Sequence, residues 1–513
     1  MLGGGTRTGF LSDVVLQVLA VPLVLWAGWR LLDVPLEAGS RRARGALLVC
    51  LMVAALPIAQ LVPLPPELWR ALPGRTDVVD TLAAAGLEVG WLPLSVVPTG
   101  TWLSALAVLP PMAVLFSVLQ LDYAERRRLL LVFLIVGVLG AILGLVQLAQ
   151  GQASPLRFYA FTNPTETVGF FANRNHHAAL LNCLLPITAA WIIAALSKAM
   201  RTGSIWSRRA TPHLTAAIIA TLILLVAIAA QLLARSRAGL GLMLFALAGA
   251  LVIAYAIPSG TADPRPGARR SGVLRVFNWL LLVVVGLALV LAAQSAFDGI
   301  RGRLIADLLA DGRIPLARNT FDAAMAYMPF GSGMGTFVQV YQSFESAADG
   351  FTFSYVNRAH NDFLELWLET GLPGLVGMLL FLAWLARASV RVWRRGLPGA
   401  GHENNLLGCA AALVLLLLLA HSAVDYPLRT TALMAVFASA IAMMIEPVGK
   451  SLASGRPSNA AIATEEGVAL PEVSSMGQAM GPSTGFRAAT PPSGGWPEAW
   501  RARQHSDRTD APG

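Results

Sequence analysis

The stretch "SYVNRAHNDFLELWLETGLPGLVG", residues 354–377, sets His360 directly before a helix-like run that carries Asp362, Glu365 and Glu369. Histidine changes charge near neutral pH, so one placed beside carboxylates has the make-up of a general base. Asp362-x-x-Glu365 has the shape of a capping box, which predicts a helix starting at about residue 363 with His360 and Asn361 just outside it. Asp362, Glu365 and Glu369 then share one face, opposite Phe363, Leu364, Trp367 and Leu368. Taken alone, that stripe reads as a solvated acidic face.

The second set of candidates is cationic. "LLARSRAGLG" sets Arg235 and Arg237 in a tight turn between two apolar runs, and "GRIPLARNTFDAAMAYMPF" carries Arg313 and Arg318. A guanidinium offers a planar fork to phosphate and keeps its charge in a low-dielectric setting, which suits an anion site. The alternatives are snorkelling to interfacial water for Arg235 and Arg237 and an ordinary solvated helix face for Arg313 and Arg318. "FFANRNHHAALL" places His176 and His177 at the start of an apolar run, after the cap-like Asn173 and Asn175. Adjacent histidines point to different faces of a helix, and no Cys or carboxylate stands at ligand spacing. Capping and packing are therefore favoured over a metal site. His421 lies one turn before Asp425, so these two form either an oriented His–Asp pair or a structural hydrogen bond.

No P-loop, GxSxG or HExxH occurs, and no acid pair is placed to hold a metal on a nucleotide sugar. "GSGMG" at 331–335 lacks a strand–turn–helix setting and reads as a flexible turn. The residues point to a phosphate-bearing membrane substrate handled without metal or cofactor.

The elements that must position these groups are membrane spans. The 513 residues are 56% hydrophobic and 13% charged, with mean hydropathy +0.62, far from a soluble domain. A bilayer crossing takes roughly 20 apolar residues. About eleven such runs occur, near 11–33, 45–64, 102–121, 129–150, 176–197, 214–234, 238–257, 274–297, 371–388, 405–424 and 430–447. Lys198 and Lys450 are the only lysines, so arginine carries most of the +9 charge. Its clusters fall in alternate loops: Arg41, Arg42 and Arg44; Arg126 to Arg128; Arg208 and Arg209; Arg269 and Arg270; Arg394 and Arg395. The positive-inside rule makes those loops cytoplasmic, with the N-terminus outside, and topology explains the high pI without a nucleic-acid partner.

The polar material expected outside is 65–100, 151–175, 234–238, 298–370 and 425–429. Within the long segment 298–370, Ile314, Leu316, Phe321, Ala324, Met325 and Met328 recur near helical spacing, predicting an amphipathic helix on the outer membrane surface. The membrane domain is expected to cover residues 1–447, with 298–370 as an outer loop that carries the candidate catalytic groups. Residues 448–513, rich in Ser, Pro, Gly, Ala and Thr, read as a disordered cytoplasmic tail. Cys50, Cys183 and Cys409 lie in apolar runs and read as small core residues.

"FFANRNHHAALL", the "RSRAG" turn, "GRIPLARNTFDAAMAYMPFGSGMGTF", "AHNDFLELWLETGLPGLVG" and "HSAVDYPL", in that order over roughly residues 165–430, together resemble the O-antigen ligase and polymerase superfamily of bacterial envelopes. The resemblance implies an all-α polytopic inner-membrane protein of about 11–12 spans, a GT-C-type glycosyltransferase. Its implied donor is an undecaprenyl-diphosphate-linked oligosaccharide, used on the periplasmic side. The acceptor would be a growing glycan or lipid A core. It also implies membrane lipid and other polysaccharide assembly proteins as partners. On this likeness His360 is the base, and Arg237 and Arg313 bind diphosphate with support from Arg235 and Arg318. Asn361, Glu365, Asn175, His176, His421 and Asp425 support the site. A small-solute transporter or a non-catalytic part of an export complex are the other readings. The first should carry ionisable residues near the bilayer midplane and broken repeats.

Overall fold

The computed structural model describes residues 3–5, 11–33, 38–202, 204, 206–256, 286, 312–346 and 356–448. Helices dominate: α1 Leu11–Asp33, α2 Ala38–Gln60, α3 Pro66–Arg70, α4 Thr76–Ala84, α5 Pro98–Ala107, α6 Leu109–Gln120, α7 Tyr123–Ala149, α8 Arg174–Met200, α9 Thr211–Leu233 and α10 Arg237–Ala256. After these come α11 Arg313–Ala326, α12 Phe337–Gln342, α13 Asp362–Arg395, α14 His402–Ser422, a 3-10 turn Pro427–Arg429 and α15 Thr431–Met443. The one sheet among the described residues is a two-residue antiparallel pairing, Pro63↔Pro93 and Leu64↔Leu92.

Nine helices among the described residues are long and apolar enough to cross a bilayer, α5 and α6 counting as one segment. The chain is an all-α polytopic membrane protein. Two expected spans fall outside that set. Residues 274–297 lie outside the described residues except for Gly286, as do the 448–513 tail beyond Val448 and most of the 298–312 approach. The run 430–447 forms only the 13-residue α15, about 20 Å long at 1.5 Å per residue and short of a full crossing.

Small residues let the backbones approach, as expected where lipid supplies no hydrophobic drive between helices. A Cβ on Gly137 of α7 would lie 2.5 Å from Leu184 of α8, and one on Gly249 of α10 would lie 2.3 Å from Leu413 of α14. α8 and α14 are thereby buried over most of their length, at the centre of a bundle with α7, α9 and α10. A second apolar cluster joins α1, α2, α6 and α15. Arg126 closes the far end of that cluster: its guanidinium donates to the Ala442 and Ile445 carbonyls at the end of α15 and to Val118, Leu119 and Leu121 at the end of α6. A cation there satisfies orphan carbonyls and suits the helix dipoles. Asp122 and Glu125 form the capping box that starts α7. Cys183 and Cys409 are buried free thiols and Cys50 is half-buried, as packing residues should be.

A third cluster lies at the other end of the bundle, where α11, α12 and the first turns of α13 pack through Leu316, Ala323, Ala324, Tyr327, Phe337, Tyr341 and Leu368. α11 is apolar on two faces. Leu316, Ala323 and Ala324 are buried, with Phe321 edge-on to Trp367 at 5.2 Å, while Ile314 and Met325 remain exposed. The expected single apolar face is thus split between packing on α13 and an outward stripe.

Candidate active site

α13 is two helical segments broken at Gly371, whose φ of +58° favours glycine. A Cβ there would lie 2.3 Å from the Pro329 carbonyl oxygen, and the Leu372 N–H donates to that same oxygen at 2.8 Å. The loop 329–335 is therefore clamped into the break. Its "GSGMG" turn, expected to be a flexible one, is tied by hydrogen bonds to its neighbours. Gly335 N–H donates to Glu369 Oε1 at 2.8 Å, Ser332 and Gly333 donate to the Leu368 and Glu369 carbonyls, and Gln60 ties Met334 to the Glu369 carbonyl.

The helix starts one residue earlier than expected. Asn361, not Asp362, is the N-cap: its Oδ1 accepts from Phe363 N–H and Leu364 N–H at 3.0 and 3.1 Å. Its Nδ2 donates to the Ala423 carbonyl at 2.9 Å, tying the start of α13 to the connection after α14. Asp362 is thereby released to turn inward.

The acidic stripe is buried rather than solvated. Glu365 and Glu369 are fully buried and Asp362 nearly so. Carboxylates taken out of water must be paired, and two arginines supply the charge. Arg358 Nη1 lies 2.9 Å from Glu365 Oε1. Arg429 reaches all three acids, 3.4 Å from Asp362 Oδ1, 3.4 Å from Glu365 Oε1 and 3.1 Å from Glu369 Oε2. Burial disfavours charge on Arg429, yet Glu365, Glu369 and Asp362 outweigh it and hold the guanidinium above its ordinary pKa. Ser422 donates to Asp362 Oδ2 at 2.8 Å.

This network holds the segment leading to His360. Glu365 Oε2 accepts from the Ala359 N–H at 2.9 Å, Glu365 Oε1 takes Arg358, and Asn361 is pinned at both ends. Between them His360 adopts φ +50°, which a non-glycine residue holds at a cost of about 1–3 kcal/mol only when its surroundings over-determine it. His360 Nδ1 lies 2.9 Å from Asp425 Oδ1. With a carboxylate accepting, Nδ1 carries the proton and Nε2 keeps its lone pair. His360 is 29% exposed and Asp425 fully buried, so the imidazole faces outward and the carboxylate inward.

Asp425 was also a candidate partner for His421. Its backbone N–H does donate to the His421 carbonyl at 2.9 Å, but its side chain goes to His360. Helix geometry explains this, because the turn after α14 swings Asp425 towards α13. Burial pushes the Asp425 carboxyl up, but the hydrogen bond from His360 and the nearby His176 and His421 outweigh it and hold it below the ordinary range. Tyr426 completes the wall, its ring edge-on to His360 at 4.7 Å and to His176 at 4.9 Å. Burial, with Asp425 adding, pushes its hydroxyl up to about 12.

Asn173 caps α8 by accepting from Asn175 N–H at 2.8 Å, and its Nδ2 reaches the Tyr426 hydroxyl at 3.4 Å. Asn175 itself takes part through its backbone. His176 faces the site, whereas His177 fills a small-residue pocket, where a Cβ on Gly169 would lie 2.6 Å from its ring and one on Gly144 3.1 Å from it. For His177, packing is therefore the observed role.

The arginines named from sequence come from other elements. Arg235, with φ +50°, and Arg237 are exposed on the turn joining α9 to α10. That turn docks on α8 beside His177, with Asn182 Nδ2 donating to the Gly239 carbonyl at 3.0 Å and a Cβ on Gly239 lying 2.8 Å from Ala178. Arg313, half-buried at the start of α11, lies within electrostatic range of His421, and Arg318 is exposed further along. The structure thus gathers Asn361, Glu365, His176, His421 and Asp425 around His360, with Arg313 at the edge. Sequence reasoning missed Arg358, Tyr426 and Arg429. The signal was available: both arginines lie in segments expected on the outer face, where arginine runs against the topological bias.

No curated protein matches the chain. The family model described as O-antigen ligase, Wzy_C, matches residues 220–379, a stretch that contains Arg235, Arg237, Arg313, Arg318, His360 and Glu365 and ends before Asp425. That stretch, well under half of the 513 residues, is what makes the chain similar to the O-antigen ligase and polymerase superfamily.

Proposed function

We propose that the protein is a membrane glycosyltransferase that moves a saccharide from an undecaprenyl-diphosphate-linked donor to a glycan or lipid A-core acceptor at the periplasmic face of the inner membrane. The observation that carries this reading is the oriented, partly exposed His360 backed by the buried Asp425. An acceptor hydroxyl gives its proton to His360 Nε2 as its oxygen attacks the anomeric carbon. The bond from that carbon to the diphosphate oxygen breaks, and the lipid diphosphate leaves with the electron pair. Attack opposite the leaving group inverts the anomeric centre. Asp425 accepts from Nδ1–H and stabilises the imidazolium that forms. Arg237 and Arg313, supported by Arg235 and Arg318, balance the charge growing on the diphosphate. No metal enters this scheme, and lipid-linked donor supply removes the need for a nucleotide site.

The test is transfer in membranes from a lipid-linked oligosaccharide, with product linkage read by NMR. An α-linked donor should yield a β-linked product, and retention of configuration would overturn the single-displacement scheme. In a deletion strain, accumulated lipid-linked single repeats mark a polymerase and long lipid-linked chains a ligase. A reporter inserted near residue 345 should read periplasmic and one after residue 400 cytoplasmic. The reverse would move the whole site to the wrong side of the membrane.

A further inference from the structure

The far end of α13 carries a feature that the transfer reaction does not use. Arg387, Arg391, Arg394 and Arg395 stand at helical spacing on its last turns and, with Val390, line a groove. Leu385, Ala388 and Val392, on the adjoining face, are buried. Leu372, Val376, Leu379 and Leu380 are about half exposed or more and continue the arginine stripe back along the same face of the helix. From Leu372 to Arg387 the helix rises about 22 Å, most of the roughly 30 Å hydrocarbon thickness. An outward apolar track therefore runs into a cluster of guanidinium groups.

Several other basic side chains at this end of the bundle are satisfied within the protein. Arg42 pairs with Glu446, Lys198 and Arg127 pair with Glu403, and Arg44 donates to the Leu31 and Leu32 carbonyls. Among the described residues the four α13 arginines have no acidic partner. Like charges one turn apart repel, and an anion bound among them would relieve that repulsion. The segment 257–275 is no complement, since it carries Arg265, Arg269, Arg270 and Arg275 against Asp263.

We propose that this face of α13 binds an anionic phospholipid, with an acyl chain along Leu372, Val376, Leu379 and Leu380 and the headgroup phosphate held by Arg387, Arg391 and Arg394. Guanidinium groups fork onto phosphate oxygens, and a basic cluster directly beyond an apolar span is suited to anionic lipid. The site lies at the opposite end of α13 from His360, so it stands apart from the proposed transfer chemistry.

The test reconstitutes the full-length protein in phosphatidylcholine nanodiscs doped with phosphatidylglycerol and counts the phosphatidylglycerol retained per protein by native mass spectrometry. Joint Arg391→Gln and Arg394→Gln should cut retention by about fivefold per arginine. Joint Arg208→Gln and Arg209→Gln, which removes the same charge from the exposed 206–210 loop, should leave retention unchanged, and added inorganic phosphate should not compete. Equal loss in both double variants would mean diffuse surface charge, and competition by inorganic phosphate would mean a free-anion site. Either result, or unchanged retention in the α13 variant, overturns the proposal. Should the α13 double variant fail to insert, Arg394→Gln alone carries the same expectation at half the charge.

Discussion

His360 and Asp425, 65 residues apart in sequence, meet at 2.9 Å through Nδ1 and Oδ1. Asp425→Asn keeps an acceptor oxygen but removes the charge that favours the imidazolium. Transfer should fall by about two orders of magnitude with the donor KM little changed. Initial rates in membranes at matched protein levels check this, and a near-wild-type rate would remove Asp425 from the mechanism.

The same pair makes stability depend on pH. The Asp425 carboxyl lies below its ordinary value of 3.8 in the folded protein. A folded pKa below the unfolded one gives stabilisation that is complete above about pH 4 and fades as pH falls below it. The melting difference between wild type and Asp425→Asn should therefore be constant between pH 6 and pH 8 and shrink towards pH 3, as followed by thermal unfolding in detergent. A difference that grew on acidification would contradict the assignment.

Arg429 is the cation shared by Asp362, Glu365 and Glu369. Arg429→Met leaves three buried carboxylates short of a partner, which should cost about 3–5 kcal/mol and show as poor expression or a sharply lowered melting temperature. Glu365→Gln is milder for stability, because an amide still accepts from Ala359 N–H. Its loss should appear mainly in kcat, through a loosened His360. Wild-type melting of Arg429→Met would mean that the network is open to water.

Gly371 separates the two helical segments of α13. Gly371→Ala meets both an unfavourable φ of +58° and the Pro329 carbonyl oxygen 2.3 Å from the new Cβ. Destabilisation of about 1–3 kcal/mol should follow from the backbone strain alone, with displacement of the 329–335 loop adding to it. Limited proteolysis of that loop measures the effect, and unchanged resistance would mean that the break is tolerant.

Arg237→Lys keeps the charge and loses the fork. Bidentate binding of a diphosphate predicts a drop of about 10²–10³ in kcat. If Arg237 only snorkels, lysine should serve as well, so the same membrane transfer assay decides between the two.

Much of the architecture was legible in the chain itself, because apolar length and arginine placement are local properties that a bilayer turns directly into helices. Nine of the expected spans, the cap at Asn173, the tight turn at Arg235 and Arg237, and His360 at the mouth of a span all follow from residue type and spacing. What only the tertiary structure decided was which charges meet. Asp362, Glu365 and Glu369 form the same stripe whether it faces water or a partner, and periodicity cannot distinguish the two. The partner, Arg429, lies 60 residues beyond Glu369 and arrives only because α14 returns the chain to the start of α13. The choice of His360 over His421 as partner for Asp425 has the same origin. A hydrogen bond is directional over about 3 Å, and that precision comes from the packing of three helix ends rather than from spacing along one of them.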